Sequence, residues 1–442
     1  MSTAYQSFGR IRSAARPALG PVDGLKRLSA QPGPGVLLPF GMGRSYGDSC
    51  HNDLGTLIDM GQADRILSFD TATGLLEAQA GVTLQAIIAH CRHHGWFLPV
   101  TPGTQFVTLG GAIANDVHGK NHHRRGTFGA HVQSLRLLRS DSGEREIDAQ
   151  NEPELFKATV GGMGLTGVII SARLRMMKVP SLDVMQDVFP FGSLGEYFAM
   201  AEEADARNEY AVAWIDQLAA GAKQGRGVLL TANHHAEGGE EDSQPAPPRL
   251  GMPFQPPIGV LNRPFLKVFN AAYRLAQLRK AGRPARTGWR GYFYPLDGVA
   301  NWNRLYGPAG LYQHQSVIPF DTAVDALPDL LLAAEREGAG SFLTVLKRFG
   351  PAGSAGLFGF ARPGYTLTLD FPNRGARTLR LLDRLDAITV EAGGAVNPYK
   401  DARMSPETFA AGFPEWRELE ALRDPALMSD FWRRTAMALD DR

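Results

Sequence analysis

Between residues 100 and 132 glycine stands at 103, 110, 111, 119, 126 and 129, and a polar cluster, Asn115 to His123, fills one of the gaps. Glycine has no Cβ, so its backbone can approach a flat or phosphorylated ligand and offer it N–H groups. Within the cluster His118 can donate, accept or pass on a proton near neutral pH. Lys120 offers a point charge for an anionic group. His118 and His122 also have the i, i+4 spacing of a helical zinc pair. Gly119 interrupts that pair and no carboxylate motif completes it, so polar contact to a ligand is the preferred use and no metal is expected. For His122 and His123 the plainer alternative is structural hydrogen bonding. A second glycine loop, Gly41-Met42-Gly43-Arg44-Ser45-Tyr46-Gly47, precedes this stretch, and a third, 161–169, follows it. The loop at 41–47 lacks the Gly-Lys-Ser/Thr ending of a P-loop and the Gly-x-Gly-x-x-Gly of a dinucleotide fold. Its chemistry is anion or cofactor binding through backbone N–H groups. The plain alternative for all three loops is a set of turns in a large protein of mixed helices and strands.

The flanking patterns supply the elements that must hold these loops. A capped helix is expected near 23–28 and a short buried strand at 36–39, running straight into the loop at 41–47. Strands are expected at 57–60, 66–69 and 75–80. Residues 83–95 have a helical period, with Leu84, Ile87, Ile88 and Cys91 on one face, Thr83 as N-cap and Gly95 beyond the end. Strands at 132–138 and 145–147 flank a turn at 140–143. A short helix at 155–159 leads to the third loop and a β-branched strand. The pattern changes near Val179-Pro180, which marks a first domain boundary, and 182–394 alternates strand-like and helix-like segments.

With 442 residues, 44% of them hydrophobic and 21% charged, the chain reads as a soluble globular protein with two domains as the starting expectation. A net charge of +1 provides no global field for nucleic acid. The two cysteines, Cys50 and Cys91, exclude a disulfide scaffold and suit a reducing compartment. No signal-like segment and no run of 18 apolar residues occurs, so a cytoplasmic location is expected.

One stretch stands apart. Residues 237–264 combine four acidic residues with seven prolines and suggest an irregular or mobile loop. Residues 261–290 then carry eight Lys or Arg and no acid. Their centre, 265–278, is amphipathic, with Phe265, Phe269, Ala272 and Ala276 on one side. Such a helix can lie on an anionic membrane, or dock on its own domain with a solvated basic face.

Residues 40–48 resemble the pyrophosphate loop of the vanillyl-alcohol-oxidase (PCMH) type of FAD-binding domain. Residues 101–104, 110–121 and 161–169 continue the match in the same order. Within that superfamily the chain is similar to the decaprenylphosphoryl-β-D-ribose 2-oxidase family. The string at 118–123 carries this resemblance, with 292–297, 306–310, Gln313-His314-Gln315, Lys347 before 349–351, and 400–403 followed by Thr408-Phe409. It covers nearly the whole chain and is loosest at 180–290.

The resemblance implies an α+β fold: an FAD-binding domain at 1–180, a substrate domain of antiparallel sheet and helices at 181–394, and a C-terminal segment at 395–442 returning to the FAD domain. It implies FAD held by Gly41, Met42, Gly43, Arg44, Ser45, Tyr46, Gly47, Pro102, Gly103, Thr108, Leu109, Gly110, Gly111, Asn115, Val117, His118, Gly119, Gly164, Ile169 and Asn397. Related oxidases with covalent flavin have a His in the pyrophosphate loop; Arg44 and Ser45 stand here, so the FAD is expected to be non-covalent. Lys400 is then the first candidate to bind the reacting hydroxyl or take its proton, with charge stabilisation of reduced flavin as the alternative role. His118 would orient the hydroxyl, Gln315 and Lys347 would hold polar edges of substrate or flavin, and Lys120 is a further candidate.

The implied reaction is oxidation of a secondary hydroxyl on a sugar, a polyprenyl-phosphoryl pentose, for a cell-envelope polysaccharide precursor. A short-chain dehydrogenase partner would complete an epimerisation, and contact with the inner face of the membrane would be peripheral. The alternatives are a soluble polyol or aldonolactone oxidase, and a flavin-binding partner module without turnover. Two departures bear on the substrate. Asn397 stands where the family commonly has Tyr, and Thr368 stands where it commonly has Cys.

Overall fold

A computed structural model of the chain describes residues 5–12, 14, 16–237, 250–252, 256–257 and 259–440. Most of the acidic, proline-rich stretch expected at 237–264 lies outside them. The short strand before the first loop forms at Leu37–Phe40 and pairs in parallel with Thr56–Asp59, which also pairs with Ala18–Leu19. The helix expected at 23–28 runs from Pro21 to Ser29 with no side-chain cap. Pro21 takes the first helical position, where its missing N–H costs nothing.

Five antiparallel strands form the next sheet, in the order Ile66–Asp70, Leu75–Gln79, Val168–Arg175, Val132–Arg139, Gly143–Asp148. Against it lies Leu84–Cys91, where Thr83 Oγ1 accepts the Ala86 N–H at 3.2 Å and Gly95 follows in the left-handed region at φ 71°. The glycines at 110 and 111 do not form a turn, the plain alternative for this stretch. Leu109–Ala114 is a short helix, because Thr108 caps it through the Gly111 N–H and a Cβ at Gly110 would stand 2.9 Å from that of Ala80. The glycine is required for this close approach of helix and sheet.

The remaining chain builds an eight-stranded antiparallel sheet in the order Ala285–Thr287, Val184–Phe191, Gly227–His234, Tyr210–Ile215, Thr344–Phe349, Gly364–Pro372, Leu311–Ile318, Ala395–Val396. Leu346, Leu367, Leu369 and Phe371 point to one face, where they share a core with Leu327, Leu330 and Leu331 of Phe320–Arg336 and Leu381 and Leu385 of Ala376–Glu391. The alternate residues face the first half of the molecule. The fold is α+β, with no cis peptide among the described residues.

The basic helix forms at Arg263–Leu278, capped by Asn262, and its apolar side is divided: Phe269 packs on Tyr273 and Phe342 while Phe265 stays exposed. Leu266, Asn270 and Gln277 are buried, whereas Phe265, Val268 and Leu275 are 47%, 72% and 52% exposed. Asn270 is held by Asp216 at 2.9 Å, and this polar anchor fixes which face turns inward. No helix among the described residues is long and apolar enough to cross a membrane.

Candidate active site

A cavity of about 640 Å³ lies between the glycine loops and the outward face of the eight-stranded sheet. Its first wall is the loop at 41–47, entered from Leu37–Phe40. Among the described residues, the backbone N–H groups of 41–47 find no hydrogen-bond acceptor in the protein. Gly43 has φ +58°, and a Cβ at Gly41 would meet the Thr108 side chain. The Arg44 guanidinium lies between the Phe8 and Phe106 rings, with its Nε buried and unpaired. Donors left unpaired in a cradle closed to side chains fit an anionic group such as a pyrophosphate.

The second wall is the stretch from Thr108 to Asn121. Asp116 has φ 38°, unusual for a non-glycine residue. Its carboxylate accepts the Gly129 N–H at 2.8 Å and the Ser354 hydroxyl, which holds the turn in place. Asn121 bonds the Pro99 carbonyl at 2.8 Å, and Ala211 N–H bonds the Lys120 carbonyl at 2.9 Å, tying the stretch to Tyr210–Ile215.

The third wall is the sheet, where Gln313 lies opposite Asp370 and Gln315 opposite Thr368. Gln313 donates to Asp370 Oδ1 at 2.6 Å; Oδ2 is buried and unpaired. Lys347 comes from the neighbouring strand, with its Nζ 3.2 Å from His118 Nδ1. Lys400 follows the last strand and stands over the Tyr46 ring at 4.3 Å. On the far flank Trp214, Leu230, Leu343, Val345 and Tyr273 make an apolar surface.

Burial shapes the electrostatics. It lowers Lys347 to about 7, assisted by the charge of Lys400. It lowers Lys120 to about 7, assisted by Lys347, while Lys120 bonds the Tyr292 carbonyl. Burial lowers Lys400 to about 8, with Asp370 pulling it back up. The same burial raises Asp370 to about 7, restrained by the Gln313 bond and by Lys400. His118 is held far below its ordinary value by burial and then by Lys347, His122 and Lys400, so its imidazole is neutral.

Of the expected cofactor residues, Gly41 to Tyr46, Pro102, Gly103, Thr108, Gly110, Gly111, Asn115, Val117, His118, Gly119, Gly164, Ile169 and Asn397 all border this cavity. So do Lys120, Gln315, Lys347 and Lys400. Two do not. Leu109 is turned into the apolar core. Gly47 is pressed against the Asp401 carbonyl, where any Cβ would overlap it; it closes the loop onto the C-terminal segment and makes no wall. His122 and His118 both lie on the Phe349 ring, and His123 bonds the Asn208 carbonyl at 3.0 Å. Burial first, and then Lys347, lowers both His118 and His122, and no third His, Cys or carboxylate joins that pair among the described residues. Asp370 and Trp214 were not singled out from sequence as site residues. Their signal was period-two alternation in strands, which says which residues share a face but not which face meets a ligand.

Residues 34–147 match the family described as FAD binding domain. The chain is 36% identical to decaprenylphosphoryl-β-D-ribose oxidase of Mycolicibacterium smegmatis, over 93% of this chain and 92% of that protein. It is 35% identical to an uncharacterized protein of Streptomyces coelicolor, over 78% of this chain and 96% of the relative. Mouse L-gulonolactone oxidase is 27% identical over 34% of this chain and 33% of its own length. FAD is therefore the cofactor, and the glycine cradle fits its pyrophosphate through unpaired N–H donors and a buried guanidinium. With the likeness running through both the cradle and the lysine-lined sheet, the chain belongs to the decaprenylphosphoryl-ribose oxidase family of FAD-dependent oxidoreductases.

Proposed function

We propose that the protein oxidises a secondary hydroxyl of a polyprenyl-phosphoryl pentose at its 2-position to the keto sugar. The observation that carries this reading is the pairing of a polar, lysine-lined floor with an apolar flank in one cavity. His118, Gln315, Lys347 and Lys400 line the floor, and Trp214, Leu230, Val345 and Tyr273 the flank. A sugar needs the first and a prenyl chain the second. Bound FAD supplies the two-electron acceptor for the hydride that leaves the carbinol carbon. His118 and Gln315 form the floor beneath the hydroxyl. Lys400, supported through space by Asp370, provides positive charge for the reduced cofactor. The FAD is held without a covalent bond, since the loop at 41–47 contains no nucleophilic His or Cys.

Tyr273 belongs to Arg263–Leu278, whose opposite side shows Val268 and Leu275 to solvent beside Lys267, Arg279 and Lys280, with the exposed Phe265 at its start. This helix joins the apolar flank to a basic, apolar surface suited to an anionic membrane, where a lipid-linked sugar would be found. Gulonolactone oxidase, matched over a third of the chain, supports the second reading, a free polyol or aldonolactone as substrate. The test is anaerobic bleaching of the flavin band by polyprenyl-phosphoryl pentoses set against free polyols and aldonolactones. Bleaching by the lipid-linked sugar supports the first reading; bleaching by the free compounds alone overturns it.

A further inference from the structure

A chain of hydrogen bonds crosses the floor of the cavity, and its direction is set at one end. The Tyr399 backbone N–H donates to Asn397 Oδ1 at 2.9 Å. A backbone N–H can only donate, so the oxygen of Asn397 must face it and the amide nitrogen must face the other way. That nitrogen donates to Gln315 Oε1 at 2.9 Å. Gln315 Nε2 is left to donate twice, to Thr366 Oγ1 and to His118 Nε2, both at 3.1 Å. Turning either amide over would set N–H against N–H at a buried position, which costs on the order of 1–3 kcal/mol for each group left unpaired.

His118 Nε2 is therefore an acceptor and carries no proton. A neutral imidazole has one N–H, so the proton sits on Nδ1. Nδ1 lies 3.2 Å from Lys347 Nζ. An ammonium has three donors and no acceptor, so it would set N–H against N–H at this contact, whereas an uncharged amine can share this N–H with the nearby Gly119 backbone. The polarity that begins at Tyr399 thus ends by favouring a free lone pair on Lys347.

We propose that Asn397 is a positioning residue which, through Gln315 and His118, keeps Lys347 uncharged and makes it the base that takes the proton of the substrate hydroxyl. This rests on the alcohol oxidation proposed above. In the step, the O–H bond breaks and its proton joins the Nζ lone pair. The C–H pair leaves with both electrons for FAD, and the carbonyl forms. The groups that act on Lys347 from neighbouring elements are Lys400, Lys120, His118 and His122. All are cationic or neutral, and they favour the same uncharged state. The departure from the family at position 397 thereby acquires a role of its own.

The test begins with 15N-histidine NMR of the FAD-loaded protein without substrate, the His118 signals being identified by their loss in His118→Asn. The expected tautomer has Nδ1 protonated and Nε2 bare; an Nε2–H signal overturns the proposal. Because no substrate is present, this result is independent of which sugar is oxidised. Next, in Asn397→Asp both side-chain oxygens accept, so Gln315 must turn, its oxygen must face His118, and the proton must move to Nε2. Lys347 then becomes the donor. Single-turnover flavin reduction, which in the wild type rises with pH as the amine deprotonates near 7, should show that rise at least one unit higher. Gln315→Glu keeps the Asn397 bond but likewise sets an acceptor against His118 Nε2, and serves if Asn397→Asp fails to retain FAD. A shifted profile with the tautomer unchanged would be a simple effect of added charge and would sink the positioning role. A wild-type profile flat from pH 6 to 9 would remove Lys347 as the base.

Discussion

Arg434 ties the end of the chain to both sides of the cofactor cradle. Its guanidinium meets Asp48 in a two-pronged contact, at 2.8 and 3.0 Å, just beyond the loop at 41–47. It also bonds Asp401, next to Lys400, at 2.7 Å and the Met404 carbonyl at 2.7 Å. The Asp48 and Asp401 side chains are 1% and 5% exposed. Arg434→Leu would leave two buried carboxylates without their main partner, and breaking such a pair costs about 3–5 kcal/mol. Each acid keeps a weaker cation, Arg12 at 3.5 Å for Asp48 and Arg403 at 3.7 Å for Asp401, so the lower end, about 3 kcal/mol, applies. For a chain of 442 residues the unfolding entropy is about 0.9 kcal/mol per kelvin, and the melting temperature should fall by about 3 °C. Flavin fluorescence, which reports release of FAD, should rise earlier than the loss of helical circular dichroism, because the contact joins the cradle to the segment carrying Lys400. Arg434→Lys should recover part of the loss, having the charge but not the fork. A melting point within about 1 °C of wild type, or FAD release unchanged relative to unfolding, would refute the reasoning.

Four further outcomes are expected. Acid precipitation should leave yellow FAD in the supernatant, and a yellow pellet would contradict a non-covalent cofactor. Lys400→Ala should abolish substrate-dependent flavin reduction while retaining FAD. In Asp370→Asn, Lys400 loses the carboxylate that raises it, so its cation should give up its proton at lower pH and the alkaline limit of activity should move down from about 8; an unmoved limit would remove this pair from the mechanism. Replacing Arg274, Arg279, Lys280 and Arg283 by Gln should weaken binding to anionic liposomes and raise the KM for a lipid-linked sugar more than for a short soluble analogue. Equal effects on both substrates would assign the helix a structural role only.

Much of the cradle was legible because glycine is a direct statement about backbone. The loop at 41–47 and the cap at Thr83 could be read from residue type and offset alone. That Gly110 and Gly111 sit in a helix and not a turn was not legible, because the reason lies in the sheet beneath them, whose Ala80 leaves space only for glycine. The helix at Arg263–Leu278 was located, but which of its faces turns inward was not legible. Phe265 and Phe269 form the more apolar side, but Asn270 reaches the buried Asp216, a contact 54 residues away in sequence. Asp370 escaped for a related reason. Its strand reads as alternation, and nothing local says that the side carrying a lone carboxylate closes an active site.

The alternation in Gly364–Pro372 also makes the active site and the hydrophobic core two readings of one strand. Thr366, Thr368 and Asp370 serve the cavity, while Leu367, Leu369 and Phe371 serve the helices behind. Side chains in a strand change face at every residue. Deleting one residue between 365 and 371 would not trim the site; it would exchange the two faces, sending a carboxylate into the apolar layer and leucines into the cavity. Length in this strand is therefore far less negotiable than identity. A library of variants of the protein should tolerate several single substitutions there, yet yield no folded member with a single-residue insertion or deletion.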